Sequence, residues 1–172
     1  VSGTTTTEFQ TDVVNPNVTM LFEPYRLQTP SKWTGSFAYI FGKKGLISFD
    51  YATKNYSNKK YTPKEDFVNT NRNLRNLLSS TNEYRLGAEY RIERVSLRAG
   101  YRFEESPFKD KVTIGDLTGY STGIGYNFGA TKLDLAYSFT KQDRKQQFFT
   151  QGLTDSSNLN SKNNTISLTL LF

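Results

Sequence analysis

From Trp33 onward, apolar and aromatic residues return at every second position, the spacing of an extended strand that shows one face to an apolar environment. Trp33, Gly35, Phe37, Tyr39 and Phe41 share one side, with Thr34, Ser36, Ala38 and Ile40 on the other. The same alternation puts Ile47, Phe49 and Tyr51 together, then Tyr84, Leu86, Ala88, Tyr90 and Ile92, then Val95, Leu97, Ala99, Tyr101 and Phe103. Two further strands lie in Leu117–Phe128 and Thr131–Thr140, and the chain finishes on Asn164–Phe172, where Ile166, Leu168, Leu170 and Phe172 form one stripe. The first thirty residues alternate only loosely, with strands placed at Thr4–Asp12 and Asn17–Leu27. The pattern predicts an all-β, antiparallel chain of seven to nine strands.

The turns between these strands test the faces. A three-residue loop ending at Gly45 as the left-handed residue sets Phe41 opposite Ile47, Tyr39 opposite Phe49 and Phe37 opposite Tyr51. A two-residue loop at Glu93 and Arg94 pairs Tyr90 with Leu97, Leu86 with Tyr101 and Tyr84 with Phe103. Gly129 and Ala130 join a hairpin that sets Tyr126 beside Leu133, Ile124 beside Leu135 and Tyr120 beside Phe139. The connections 57–81, 105–116 and 142–163 are read as long loops, so short turns collect at one end of the strands and long loops at the other. That asymmetry belongs to transmembrane β-barrels, whose short turns are periplasmic and whose long loops are extracellular. Within the first long loop, Thr62, Pro63 and Glu65 read as N-cap, first helical residue and capping-box partner of a short helix, Pro63–Leu78.

The two faces differ in kind. The apolar face carries Tyr39, Phe41, Tyr90, Tyr126, Phe128 and Phe172 toward the short turns and Tyr51, Tyr84, Phe103, Tyr120 and Phe139 toward the long loops, as interfacial girdles do. The opposite face carries Asp50, Lys54, Arg85, Glu89, Arg91, Arg98, Arg102, Glu104, Lys132 and Asp134, as a wet lumen does. A transmembrane β-barrel of the bacterial outer membrane, in contact with membrane lipids, is the expected setting, with a secreted β-sandwich as the alternative. Leucine-rich membrane helices are excluded, because only 35% of the residues are hydrophobic and no window approaches the roughly 20 apolar residues a helix needs.

Composition removes most chemistries. With no Cys and no His, the chain has no disulfide, no thiolate or imidazole metal site and no serine–histidine triad. No cofactor is expected, and Asp50, Glu89 and Asp134 each have basic neighbours, so enzymatic activity is not expected. The net charge of +6 is scattered rather than gathered into a stripe, which argues against a nucleic-acid partner. Among the polar residues, the hairpin register sets Glu89 opposite Arg98 as a lumen ion pair and Arg85 opposite Arg102 as two like charges. The latter pair requires an anion. Glu104 and carboxylates from other strands are one source, and an acidic ligand such as a fatty-acid carboxylate is the other. Gly119, Gly123 and Gly125 leave space along their strand for a plug or a ligand path.

The runs FAYIFGKKGLISFDY, EYRLGAEYRIERVSLRAGYRFEESPFKD, GDLTGYSTGIGYNFGATKLDLAYSF and ISLTLLF, within Tyr25–Phe172, resemble the C-terminal half of the FadL family of outer-membrane transporters for long-chain fatty acids and other hydrophobic compounds. The resemblance implies a barrel of fourteen strands with an N-terminal plug, of which this single domain, residues 1–172, supplies seven to nine strands. It implies capture of a hydrophobic ligand, such as a fatty acid, from outside and its passage through a gap in the wall. Phe172 resembles the terminal aromatic signal read by the barrel-assembly machinery. The plug and gate are expected upstream of Val1, and the free edge of the last strand is expected to pair with a first strand outside this chain, unless Val1–Asp12 seals it as a small complete barrel. The alternative function is a structural or docking subunit of an outer-membrane secretion or assembly complex, because the family is also similar to barrels in such complexes.

Overall fold

The structure, a computed structural model, describes residues 24–147 and 155–172. In chain order its elements are β1 (Arg26–Gln28), β2 (Lys32–Phe41), β3 (Gly45–Asn55), a 3-10 turn (Tyr56–Asn58), β4 (Lys60–Thr62), α1 (Val68–Leu77), β5 (Ser80–Ile92), β6 (Val95–Glu104), β7 (Ile114–Asn127), β8 (Lys132–Gln147) and β9 (Ser156–Leu171). The seven long strands form one antiparallel meander in the order β2-β3-β5-β6-β7-β8-β9, while β1 and β4 pair separately. The expected strand at Thr4–Asp12 lies outside the described residues, as does most of Asn17–Leu27, whose far end meets β1.

Two hairpins have the predicted register. Tyr90 faces Leu97, Leu86 faces Tyr101 and Tyr84 faces Phe103, and in the next hairpin Tyr126 faces Leu133, Ile124 faces Leu135 and Tyr120 faces Phe139. The β2–β3 hairpin differs by two residues: Phe41 faces Gly45, Tyr39 faces Ile47, Phe37 faces Phe49 and Gly35 faces Tyr51. The loop is Gly42–Lys44, and the residue with positive φ is Gly42, at 56°, not Gly45. A slip of two leaves every side chain on its face, because the strand period is two. The face assignment therefore survived a wrong register.

The last hairpin departs further. β8 and β9 stay paired from Lys132↔Leu171 to Gln147↔Ser156, so strand structure occupies most of the stretch 142–163 read as a loop. Both faces there are mostly polar, as in Asp143↔Asn160 on one and Gln142↔Ser161 on the other, with Leu159 the apolar exception, and without an apolar stripe the sequence has no visible alternation. Backbone hydrogen bonding continues regardless. At 16 residues each, these two strands exceed the roughly 9–11 residues with which a strand crosses a bilayer.

The helix is also shorter than expected. It begins at Val68 after Phe67, which makes no side-chain cap, because Thr62 is engaged in β4 opposite Arg26 and the following residues turn before the helix starts. What docks α1 is Asn71, buried, whose carbonyl oxygen accepts from Tyr61 N–H at 2.7 Å and whose amide donates to Tyr61 O at 3.0 Å. Phe67 stacks on Tyr61 at 5.0 Å and meets Tyr25 at 5.9 Å, and Leu78 closes the cap by a bridge to Phe108.

Nothing among the described residues packs a second layer on the sheet. Ala52 and Leu78 are the apolar residues buried there, while Trp33, Ile166 and Leu168 are 70% exposed or more. β2 and β9, the outer strands of the described sheet, run in the same direction, each toward the short-turn end.

Candidate functional site

The polar face of the sheet holds two clusters of charge separated by a band of small residues. The first lies toward the long loops on β2, β3, β5 and β6. Lys32 Nζ donates to Glu83 Oε2 at 2.7 Å, Arg85 pairs with Glu83 Oε1, and Arg102 reaches the same oxygen at 3.5 Å and Glu104 Oε2 at 2.8 Å. Asp50 stands opposite Arg85 on β3. Arg85 and Arg102 are direct cross-strand partners, and Glu83 lies between them. With Lys54, the cross-strand partner of Lys32, at its edge, the cluster carries four cations and three carboxylates. The sequence reading named Glu104 and missed Glu83, although Glu83 sits two residues before Arg85 on the same face, where diagonal contacts are within reach of long side chains. Arg102 Nε has no acceptor among the described residues and is the donor this cluster leaves over.

The second cluster lies toward the short turns. Arg98 Nε donates to Glu89 Oε2 at 3.0 Å, Arg91 Nε donates to Glu89 Oε1 at 2.5 Å, and Arg98 Nη1 pairs with Asp134. Asp134 is on β8, two strands from Arg98 on β6, so the contact crosses β7. Gly125 makes the crossing possible: it is the residue opposite Asp134, and a Cβ there would collide with the carboxylate. Gly119 and Gly123 stand on this same polar face, beside Arg102 and Arg98. At Gly125 the space left by a missing side chain is taken by an ion pair.

Between the clusters, Ser48, Gly87, Gly100 and Ser121 align across four strands. They floor a hollow of about 380 Å³, walled by Asp50 and Arg85 above and by Leu46, Glu89 and Arg98 below. Chemically it is a neutral, hydrogen-bonding trough with charge of both signs at its rims. It has no cluster of His, Cys, Asp and Glu suited to a metal among the described residues. The apolar face carries aromatic ladders instead: Tyr51 on Tyr84 at 5.4 Å, Tyr84 on Phe103 at 6.4 Å and Tyr101 on Tyr120 at 5.2 Å. Phe172, at the chain's end, is 96% exposed on that side.

No protein-family model and no curated protein matches this chain.

Proposed function

We propose that this chain forms part of the wall of a transmembrane β-barrel in a bacterial outer membrane and that the barrel passes hydrophobic small molecules, such as long-chain fatty acids. The observation that carries the membrane reading is the division of one sheet into two unlike faces. One is aromatic and aliphatic with no protein layer on it among the described residues, and the other is an ion network. An aqueous protein rarely leaves an apolar patch larger than a few hundred Å² uncovered, whereas lipid covers such a face without any partner. No helix among the described residues is long and apolar enough to cross a membrane, and a barrel crosses with strands.

Topology restricts how the wall closes. Because β2 and β9 run the same way, an all-antiparallel barrel built on this sheet adds an odd number of strands between them. One added strand gives eight, and seven give the fourteen of FadL-type transporters, which the quoted hairpins resemble. Two copies of this sheet inserted in the same orientation, each with seven strands, would meet in parallel at both seams, which argues against such a dimer as the closed form.

The transport reading rests on that resemblance and on the trough between the two charge clusters, whose walls are largely paired within themselves. Its test is transfer of a fluorescent long-chain fatty acid into vesicles that carry the protein. Acceleration over protein-free vesicles is expected, and Arg85→Ala with Arg102→Ala lowers it if the exposed part of either guanidinium meets the carboxylate. Insertion without any acceleration would discard transport and leave the barrel wall standing.

A further inference from the structure

The β8–β9 hairpin carries an arrangement that the lumen chemistry does not use. Lys141 and Lys162 are direct cross-strand partners. Both lie on the apolar face, one step beyond the pair Phe139↔Asn164. Like charges placed directly opposite destabilise a sheet, and Lys162 has no carboxylate partner among the described residues. Lys141 shares its charge with Asp143 at 3.3 Å, but Asp143 lies one step further from the apolar band and also accepts from Asn160. Thr118, the β7 partner of Lys141, adds a hydroxyl to the same row, and Asn164 has its carbonyl oxygen occupied by the Tyr137 hydroxyl at 2.7 Å, leaving its amide hydrogens to donate.

Depth gives this cluster its meaning. Lys162 is ten residues from Phe172 along β9, and at about 3.3 Å per residue with a tilt of about 40° that is a rise of about 25 Å. The apolar band of a membrane barrel is about 25 Å tall, so the lysine pair stands where lipid phosphates begin on the long-loop side. Resting on the membrane-wall reading above, we infer that Lys141 and Lys162, with Thr118 and Asn164 beside them, bind the phosphate headgroup of a membrane lipid on the outer wall, with its acyl chains against Phe139 and Ile166. The polar row supplies two ammonium groups and neutral donors to one anion, and the apolar row beneath it accepts the chains.

The test uses the whole protein reconstituted in vesicles of phosphatidylcholine containing one-tenth phosphatidic acid of the same chain length. Lipid retained by the protein is counted by native mass spectrometry after protease protection has verified insertion. Retention of phosphatidic acid over phosphatidylcholine is expected to exceed the vesicle ratio, by about five-fold for each lysine. Lys141→Gln with Lys162→Gln brings it back to the vesicle ratio. Lys43→Gln with Lys44→Gln, the same charge change in the short turn at the other end, leaves it unaltered, and excess inorganic phosphate displaces little, because a free ion lacks the chains. An inserted protein with no preference, or one whose preference survives loss of Lys141 and Lys162, overturns the headgroup site alone. A protein that fails to insert overturns the membrane wall and the headgroup site together.

Discussion

Leu135 and Asp134 are neighbours in β8 and meet opposite surroundings. Leu135 joins Leu168, Ile124 and Leu97 in a row across four strands with no second layer packed on it among the described residues, whereas Asp134 crosses a glycine to pair with Arg98. In a water-soluble sheet the apolar member of such a pair is covered and the charged one is solvated. Here the apolar face is bare among the described residues and the charged face is largely paired within itself, in two clusters of mixed sign. The contrast teaches that no described part of the chain supplies the surroundings of the apolar side, which is the gap the membrane-wall proposal fills. It also shows that charge on the other side does not by itself indicate a ligand.

The sharpest way to break this comparison is to put a cation on each face in turn. Leu135→Arg is expected to lower stability in vesicles by about 2–4 kcal/mol, the cost of an arginine near the bilayer midplane, while Ser138→Arg on the polar face costs far less. Urea titration of the reconstituted protein reads both, and equal losses would mean that the two faces share one environment. A second comparison sets the sheet against its cap. Asn71→Ala removes both hydrogen bonds to the Tyr61 backbone and leaves buried groups unsatisfied, a loss of about 1–3 kcal/mol. Hydrogen exchange at the Tyr61 amide should speed up accordingly while amides in β5–β8 stay protected.

Within the polar face, Arg98→Ala strands Asp134 but leaves Glu89 paired with Arg91. The Arg98 side chain is 43% exposed, so water and salt screen much of the interaction, and a loss of about 1 kcal/mol is expected. Raising salt should shrink the difference between wild type and variant, and a loss that is indifferent to salt would point to packing rather than charge. The smallest effect belongs to the loop before β7. The Thr113 hydroxyl and the backbone N–H groups of Val112 and Thr113 donate to Asp110 and hold its carboxyl below the ordinary aspartate range. A lowered folded pKa means that the turn keeps this stabilisation above the ordinary value and loses it as pH falls through the folded one. Protection of the Val112 and Thr113 amides, taken relative to the intrinsic exchange rate at each pH, should therefore fall only in acid, and Asp110→Asn should flatten that dependence.

The seven long strands and the two hairpin registers were legible because half-buried strands repeat with period two and because short turns lock partners together. Glu89 opposite Arg98 and Arg85 opposite Arg102 follow from the same counting. Glu83 between the two arginines, and Asp134 reaching over Gly125, do not, since diagonal and two-strand contacts depend on side-chain length and on which neighbour leaves room. Apart from the far end of Asn17–Leu27 meeting β1, the β1–β4 ribbon and the Asn71 clamp carried no sequence signal. Three-residue strands are too short to show alternation, and a buried asparagine looks like any helix-surface asparagine until its partner is known.

By itself the sequence determined which residues share a face, because alternation is a local property of the extended backbone and survives even a two-residue slip at Gly42. Only the tertiary structure decided how far the strands run. In Lys141–Gln147 and Ser156–Asn163 both faces are polar but for Leu159, so the terminal strand that began as a nine-residue apolar stripe became a 16-residue arm held by its backbone ladder to β8. The physical reason is that an apolar stripe is written in side chains, while the hydrogen bonds that lengthen a hairpin belong to a backbone common to every residue but proline.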